Sequence, residues 1–145
     1  MNTTHFTKLR NMYLKSNVNT QLFDTTECEI ELGKSTISLI ISDKYFHALG
    51  AIHGSVYFKL LDDAAFFAVN SIVQDVFVLT TSFNTNIVRP INHGKIKAIG
   101  KVRFKSKNLF IAESTLFDQH GNEIAFGTGH FAKSKIELSE KIGYK

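Results

Sequence analysis

Cysteine and proline each occur once in the 145 residues. A single cysteine, Cys28, has no partner for an internal disulfide, which argues against a stapled secreted scaffold. One proline beside nine glycines excludes a collagen-like or proline-rich chain. No apolar run reaches the roughly 20 residues of a membrane-spanning helix. Residues 1–15 carry Lys8, Arg10 and Lys15 but no apolar stretch of the kind a secretory signal needs. The six histidines show neither HxH nor HExxH spacing, and one cysteine cannot supply a Cys–His zinc pattern. No phosphate-cradling glycine loop and no serine nucleophile elbow occur. These absences predict a cytoplasmic protein with no membrane partner and no metal site.

What is there suits a folded domain. Hydrophobic residues make up 43% and charged residues 21%, the ordinary globular range. The length fits one domain, which we bound as 1–145: an N-terminal helix at about 3–15, a core at about 20–135 and a tail at 136–145. The net charge of +4 favours anionic partners without separating nucleic acid from a phosphorylated metabolite.

Residues 3–14 read as a short amphipathic helix, with Phe6, Leu9 and Tyr13 near one face. Within 25–41, Cys28, Ile30 and Leu32 alternate with glutamates, Gly33-Lys34 marks a turn, and Ile37, Leu39 and Ile41 alternate again. That is a hairpin, with Cys28 in the apolar register. Residues 45–53 form a loop, and 54–72 form an almost wholly apolar helix without proline or internal glycine. The runs 77–88, 95–105, 109–117 and 123–133 read as strands in an antiparallel meander. The predicted class is α+β: a curved antiparallel sheet of five to six strands wrapped around one long central helix, plus the short N-terminal helix. An uncovered sheet edge then predicts self-association.

Chemistry concentrates where the loop enters the long helix. His53-Gly54-Ser55 stands at a helix start, where amides lack intrahelical acceptors and the dipole is positive. A carbonyl developing negative charge would be stabilised at Gly54. The same residues also suit a plain turn capped by Ser55. Asp62 and Asp63 are costly on so apolar a helix. Lys59 can pair with one of them, while the other, pointing about 100° away, faces elsewhere. Gly54 and Asp62 lie about 12 Å apart along the helix, too far to serve one carbonyl from the same chain. If both act together, the site lies between two chains.

His53-Gly54-Ser55, Leu60-Leu61-Asp62 with its alanine-rich continuation, 79–84, Arg89-Pro90 and 127–132 together resemble the hotdog-fold acyl-CoA thioesterases of the PaaI type over about 25–135. The resemblance implies a thioester hydrolase acting on a small or aromatic acyl-CoA, as a homodimer or dimer of dimers. Coenzyme A would be part of the substrate, and no further cofactor is implied. The Gly54 amide would polarise the carbonyl, Asp62 would act as general base or nucleophile, and Thr80 would orient the water or the carboxylate. His47 stands where many relatives carry asparagine, and Ser55 replaces a second glycine; Asp63 is off the motif spacing.

From Arg89 to Lys107 there are seven basic residues and no acidic one, all at odd positions. Unbroken alternation would set them on one strand face, opposite Val102 and Phe104. That face is either a solvated, aggregation-resistant surface or a platform for the phosphates of coenzyme A. Arg89, Lys105 and Lys107 are the preferred phosphate contacts, and His53 and Ser55 are further candidates for binding coenzyme A, with His53 also suited to the turn itself. Three other readings stand against hydrolysis. A non-catalytic acyl-CoA-binding or regulatory protein would follow if His47 and Ser55 disable the site. A thioester dehydratase or hydratase would want a histidine followed by proline, whereas His47 and His53 precede Ala48 and Gly54. A nucleic-acid binder would leave Asp62 unexplained, so no nucleic-acid partner is expected.

Overall fold

A computed structural model describes residues 3–145. Helix α1 (Thr3–Leu14) and the short α2 (Asn17–Gln21) precede strands β1 (Glu27–Glu31) and β2 (Lys34–Ile40). Helix α3 (Gly54–Ile72) follows, then β3 (Val76–Ile87), β4 (Lys95–Lys105), β5 (Phe110–Phe117) and β6 (Glu123–Glu137). All six strands form one antiparallel sheet in the order β1-β2-β4-β5-β6-β3. No helix among the described residues is long and apolar enough to cross a membrane.

The fold grows from α3. Its Leu60, Leu61, Ala64, Ala65, Ala68 and Val69 are all fully buried. They meet the inward faces of the strands, where Ile37, Leu39, Ile96, Ala98 and Leu116 are equally buried. Burial of each large side chain is worth about 1.5–3 kcal/mol, so this contact dominates the core. The helix sits very close to the sheet. A Cβ at Gly100 would lie 2.3 Å from the Ala64 carbonyl, so any side chain there would force the helix away. Ser35 and Ser114 donate hydroxyl hydrogen bonds to the Ala64 and Leu61 carbonyls at 2.6 and 2.7 Å. At the far end Asn70 closes the helix: its amide donates to Val73 and Val76 carbonyls, and its oxygen accepts from the Val78 N–H.

Three expectations are corrected. The four C-terminal strands are not one meander: β4, β5 and β6 are consecutive neighbours, but β3 pairs with β6 and not with β4. Local alternation reveals that a segment is a strand; it carries no record of which strand it pairs with. The N-terminal arm contains a second helix, α2, which buries Asn19. The basic residues of β4 do not share one face. A register shift falls between Val102 and Phe104, leaving Arg103 as the extra residue of a bulge. Beyond it Lys105 pairs with buried Phe110, while Phe104 pairs with Ile111 on the outer face. Before the bulge two of the three β4 lysines meet acids: Lys95 bonds Glu27 and Lys101 stands opposite Glu113, while Lys97 stands between Ser38 and Phe117.

The two sheet edges differ. Strand β1 is covered by α1, whose Phe6, Leu9, Met12 and Tyr13 are buried. Strand β3 has β6 on one side only, and Leu79, Ile87 and the following Val88 are exposed. Strand β6 runs to Glu137, and the tail then returns to the N-terminal helix. The carbonyl of Asn70 can only accept, so His5 Nε2 donates to it at 2.8 Å, and its Nδ1 lies 2.7 Å from the Tyr144 hydroxyl.

Candidate active site

Helix α3 lies antiparallel to β3, and the contacts follow in order along both. A Cβ on Gly54 would be 3.4 Å from Ile87. Phe58 meets Phe83 edge-on at 5.7 Å. Thr80 donates to Asp62 at 2.8 Å. Phe66 packs on Phe77 at 5.1 Å. Gly54 and Asp62 thus face opposite ends of the same edge strand.

A second bulge makes the Thr80 contact possible. The register shifts between Thr80, opposite Phe131, and Ser82, opposite His130. Thr81 is the extra residue, and its hydroxyl donates to the His130 carbonyl. Strict alternation would send Thr80 and Phe83 to opposite faces. With one residue inserted, both turn toward α3.

At the start of α3 the cap is His53, not Ser55. His53 is extended, and its Nδ1 accepts from the Ser55 amide at 3.1 Å and lies 2.8 Å from the Ser55 hydroxyl. Ser55 is thereby turned back onto the cap. The Gly54 amide, one residue earlier, has no acceptor among the described residues. His47 lies in the preceding loop, exposed, with Nδ1 accepting from the Leu49 amide at 3.0 Å. It is not among the residues lining the cleft at Asp62.

Asp62 is half-buried, and its carboxyl is pushed up to about 6. Burial is the largest cause, and the Asp63 charge adds to it; the Thr80 hydrogen bond and Lys59 pull the other way. Asp63 has a different setting. It accepts from Tyr13 at 2.6 Å and from Lys59 at 2.7 Å. One carboxylate, Asp63, thus pairs with Lys59 and the other does not, although both line the same cleft.

The cleft beside Asp62 measures about 830 Å³. Its walls include Met12, Val18, Phe66, Phe77, Ile136 and Ile142, so the N-terminal arm and the tail both contribute. These walls leave no local signal in the sequence, because residues from three distant segments meet only in the fold. Cys28 is buried with its thiol raised to about 12, chiefly by desolvation, which leaves it a core residue and no nucleophile.

The phosphate candidates do not cluster within one chain. The Arg89 amide bonds Ile124, at the Gly54 end of β3. Lys105 pairs with Phe110, which in turn pairs with Phe131 opposite Thr80, and Lys107 follows in the β4–β5 turn. Both lysines therefore sit at the Asp62 end.

The sequence pattern of the thioesterase superfamily matches residues 49–125, more than half the chain. A "putative esterase" of Saccharolobus solfataricus is 24% identical over 112 residues, covering 77% of this chain and 75% of that protein. Among solved structures, the E. coli PaaI protein from the phenylacetic acid degradation operon superposes with a TM-score of 0.81 at 18% identity, covering 94% of this chain and 98% of that one. A thioesterase family protein from Silicibacter pomeroyi gives a TM-score of 0.79 at 20% identity, covering 88% and 96%. At these identities the likeness establishes the fold.

Proposed function

The chain belongs to the thioesterase superfamily, with the hotdog architecture of PaaI, and from that premise as a thioester hydrolase we propose that it cleaves a small or aromatic acyl-CoA at a site shared by two subunits. The observation that carries the reading is the Thr80–Asp62 hydrogen bond at the mouth of an apolar cleft, with the open β3 edge beside it.

Two copies joined antiparallel along β3 complete the site. A two-fold axis near Phe83 and Asn84 sets Thr80 of one subunit against the Ile87 end of the other. Asp62 then approaches Gly54 of the partner subunit, which resolves the ~12 Å separation within one helix. The same pairing covers the exposed edge. It also brings Lys105 and Lys107 to the same end of the double sheet as Arg89 of the partner subunit, giving coenzyme A phosphates cations from both chains. His53 and Ser55 stand where the pantetheine would pass, and His47 flanks that entrance.

In the reaction, Asp62 takes a proton from a water held with Thr80, and the water oxygen attacks the thioester carbonyl carbon. The carbonyl oxygen becomes an oxyanion held by the partner's Gly54 amide and the positive end of α3. Collapse breaks the C–S bond and releases the acid, and the thiolate of coenzyme A takes up the proton. A carboxyl near 6 is largely ionised at neutral pH yet basic enough to accept that proton. Direct attack by Asp62 is the second route; label in the Asp62 carboxylate after a single turnover in ¹⁸O-water would identify it, since only a covalent anhydride opened at the Asp62 carbonyl can leave label there.

The functional test is thiol release from short, long and aromatic acyl-CoAs. Wild type should release coenzyme A, and Asp62→Asn should lose most of that rate while remaining folded. Binding that raises Tm without turnover by wild type would instead favour a regulatory acyl-CoA-binding protein. For the shared site, mixing Asp62→Ala chains with chains blocked at Gly54 should restore one working site per mixed dimer. No recovery in proven mixed dimers would count against it.

A further inference from the structure

Lys59 stands three residues before Asp62 and four before Asp63, so by helical spacing it can reach either carboxylate. Pairing with Asp62 would tie up the reacting group. In the structure Lys59 goes the other way. Its Nζ lies 2.7 Å from Asp63, 2.9 Å from the Asn19 side-chain oxygen and 3.2 Å from the Tyr13 hydroxyl. It also sits 4.6 Å from the Phe23 ring centre and 5.1 Å from that of Tyr13, within cation–π range. Apart from Asp63, every one of these partners comes from the N-terminal arm and the segment after it. The ammonium has three donors, and this cage accounts for all of them.

We propose that Asp63, Tyr13 and Asn19 are positioning residues that hold the Lys59 ammonium away from Asp62, so that the reacting carboxylate keeps Thr80 as its partner and remains open to water. The proposal rests on Asp62 being the reacting carboxylate. The N-terminal arm thereby becomes part of the catalytic apparatus without touching substrate. Lys59 and Asp63 on α3, Tyr13 and Lys15 on the arm side, and Lys141 in the tail are the ionisable groups that share the cleft with Asp62. Of the three lysines, Lys59 is the one anchored on a side chain within helical reach of both carboxylates.

The test compares kcat, KM and the pH profile of wild type, Asp63→Asn, Lys59→Met and the Asp63→Asn/Lys59→Met double variant. In Asp63→Asn the freed ammonium turns to Asp62; kcat should fall about tenfold, with KM little changed and the acid limb moved to lower pH. Removing both charges leaves the local net charge as it was. The double variant should therefore recover kcat to within roughly threefold of wild type and return the acid limb. A double variant no better than Asp63→Asn overturns the proposal, as does Asp63→Asn with wild-type kcat and acid limb. If Asp63→Asn does not accumulate folded, Tyr13→Phe and Asn19→Ala loosen the cage singly, and their losses must likewise be repaired by Lys59→Met. Full activity in Asp62→Asn would defeat the underlying reading, whereas an inactive Asp62→Asn with no rescue by Lys59→Met would defeat the cage alone.

Discussion

Two sides of one helical turn treat a carboxylate in opposite ways. On the side facing β3, Asp62 has a single hydroxyl partner and a carboxyl raised to about 6 by burial. On the side facing the N-terminal arm, Asp63 is bound by a phenol and an ammonium. The same residue type is left without an ion pair in one place and given one in the other, one position apart. Chemistry here is assigned by what the neighbouring elements bring, and the helix only presents the choice.

The sharpest way to break the contrast is to remove the Asp62 charge. Asp62→Asn should lower kcat/KM by about a thousandfold, within the range for a general base, in an acyl-CoA hydrolysis assay. The same change should raise stability. An aspartate whose folded carboxyl lies near 6 binds its proton more tightly folded than unfolded, so stability falls as pH rises from about 4 to about 6 and stays lowered above that. Relief of that penalty is worth about 1–3 kcal/mol, discounted for partial exposure, and denaturant melts at pH 5 and pH 8 should show roughly twice the gain at pH 8. On the other side the sign reverses. Asp63→Ala leaves Lys59 and the Tyr13 hydroxyl without their acceptor and should destabilise by about 2 kcal/mol in urea unfolding.

Smaller changes sharpen the comparison. Thr80→Val removes the hydrogen bond that pulls the Asp62 carboxyl down, so the acid limb of kcat should move upward from about pH 6, with a roughly tenfold loss of rate. Tyr144→Phe removes one hydrogen bond to His5, a residue that bonds α3 at Asn70 and neither carboxylate. It should cost about 1 kcal/mol and leave the pH profile unchanged.

Much of this contrast was legible before any fold was known, and the reasons differ by residue. Helix α3 announced itself because nineteen residues without a breaker are apolar on nearly every side. Asp62 and Asp63 stood out because charge on such a helix needs a reason. Gly54 followed from its place at the helix start. Thr80 came only through the family resemblance, since the bulge that turns it inward lies in hydrogen-bond register, which leaves no periodic trace. The His53 cap was hidden because histidine is an uncommon cap and Ser55 next to it is a common one. Tyr13 and Asn19 were unreadable as partners of Lys59, because nothing in local pattern tells a helix which distant polar groups it will meet.

The position of β3 outside the meander has a kinetic side. Strands β4, β5 and β6 are joined by short turns and can zip together locally. Strand β3 must wait for β6: Ser82 and His130, which face each other across that ladder, are 48 residues apart in the chain. Long-range closures of this kind are slow relative to hairpins. Strand β3, with Thr80 and the free edge, would then dock only after the β4–β6 hairpins have formed, and the hairpin of β1 and β2 faces a closure at least as long, with Lys34 paired to Lys101, so the Thr80–Asp62 contact is completed late in folding.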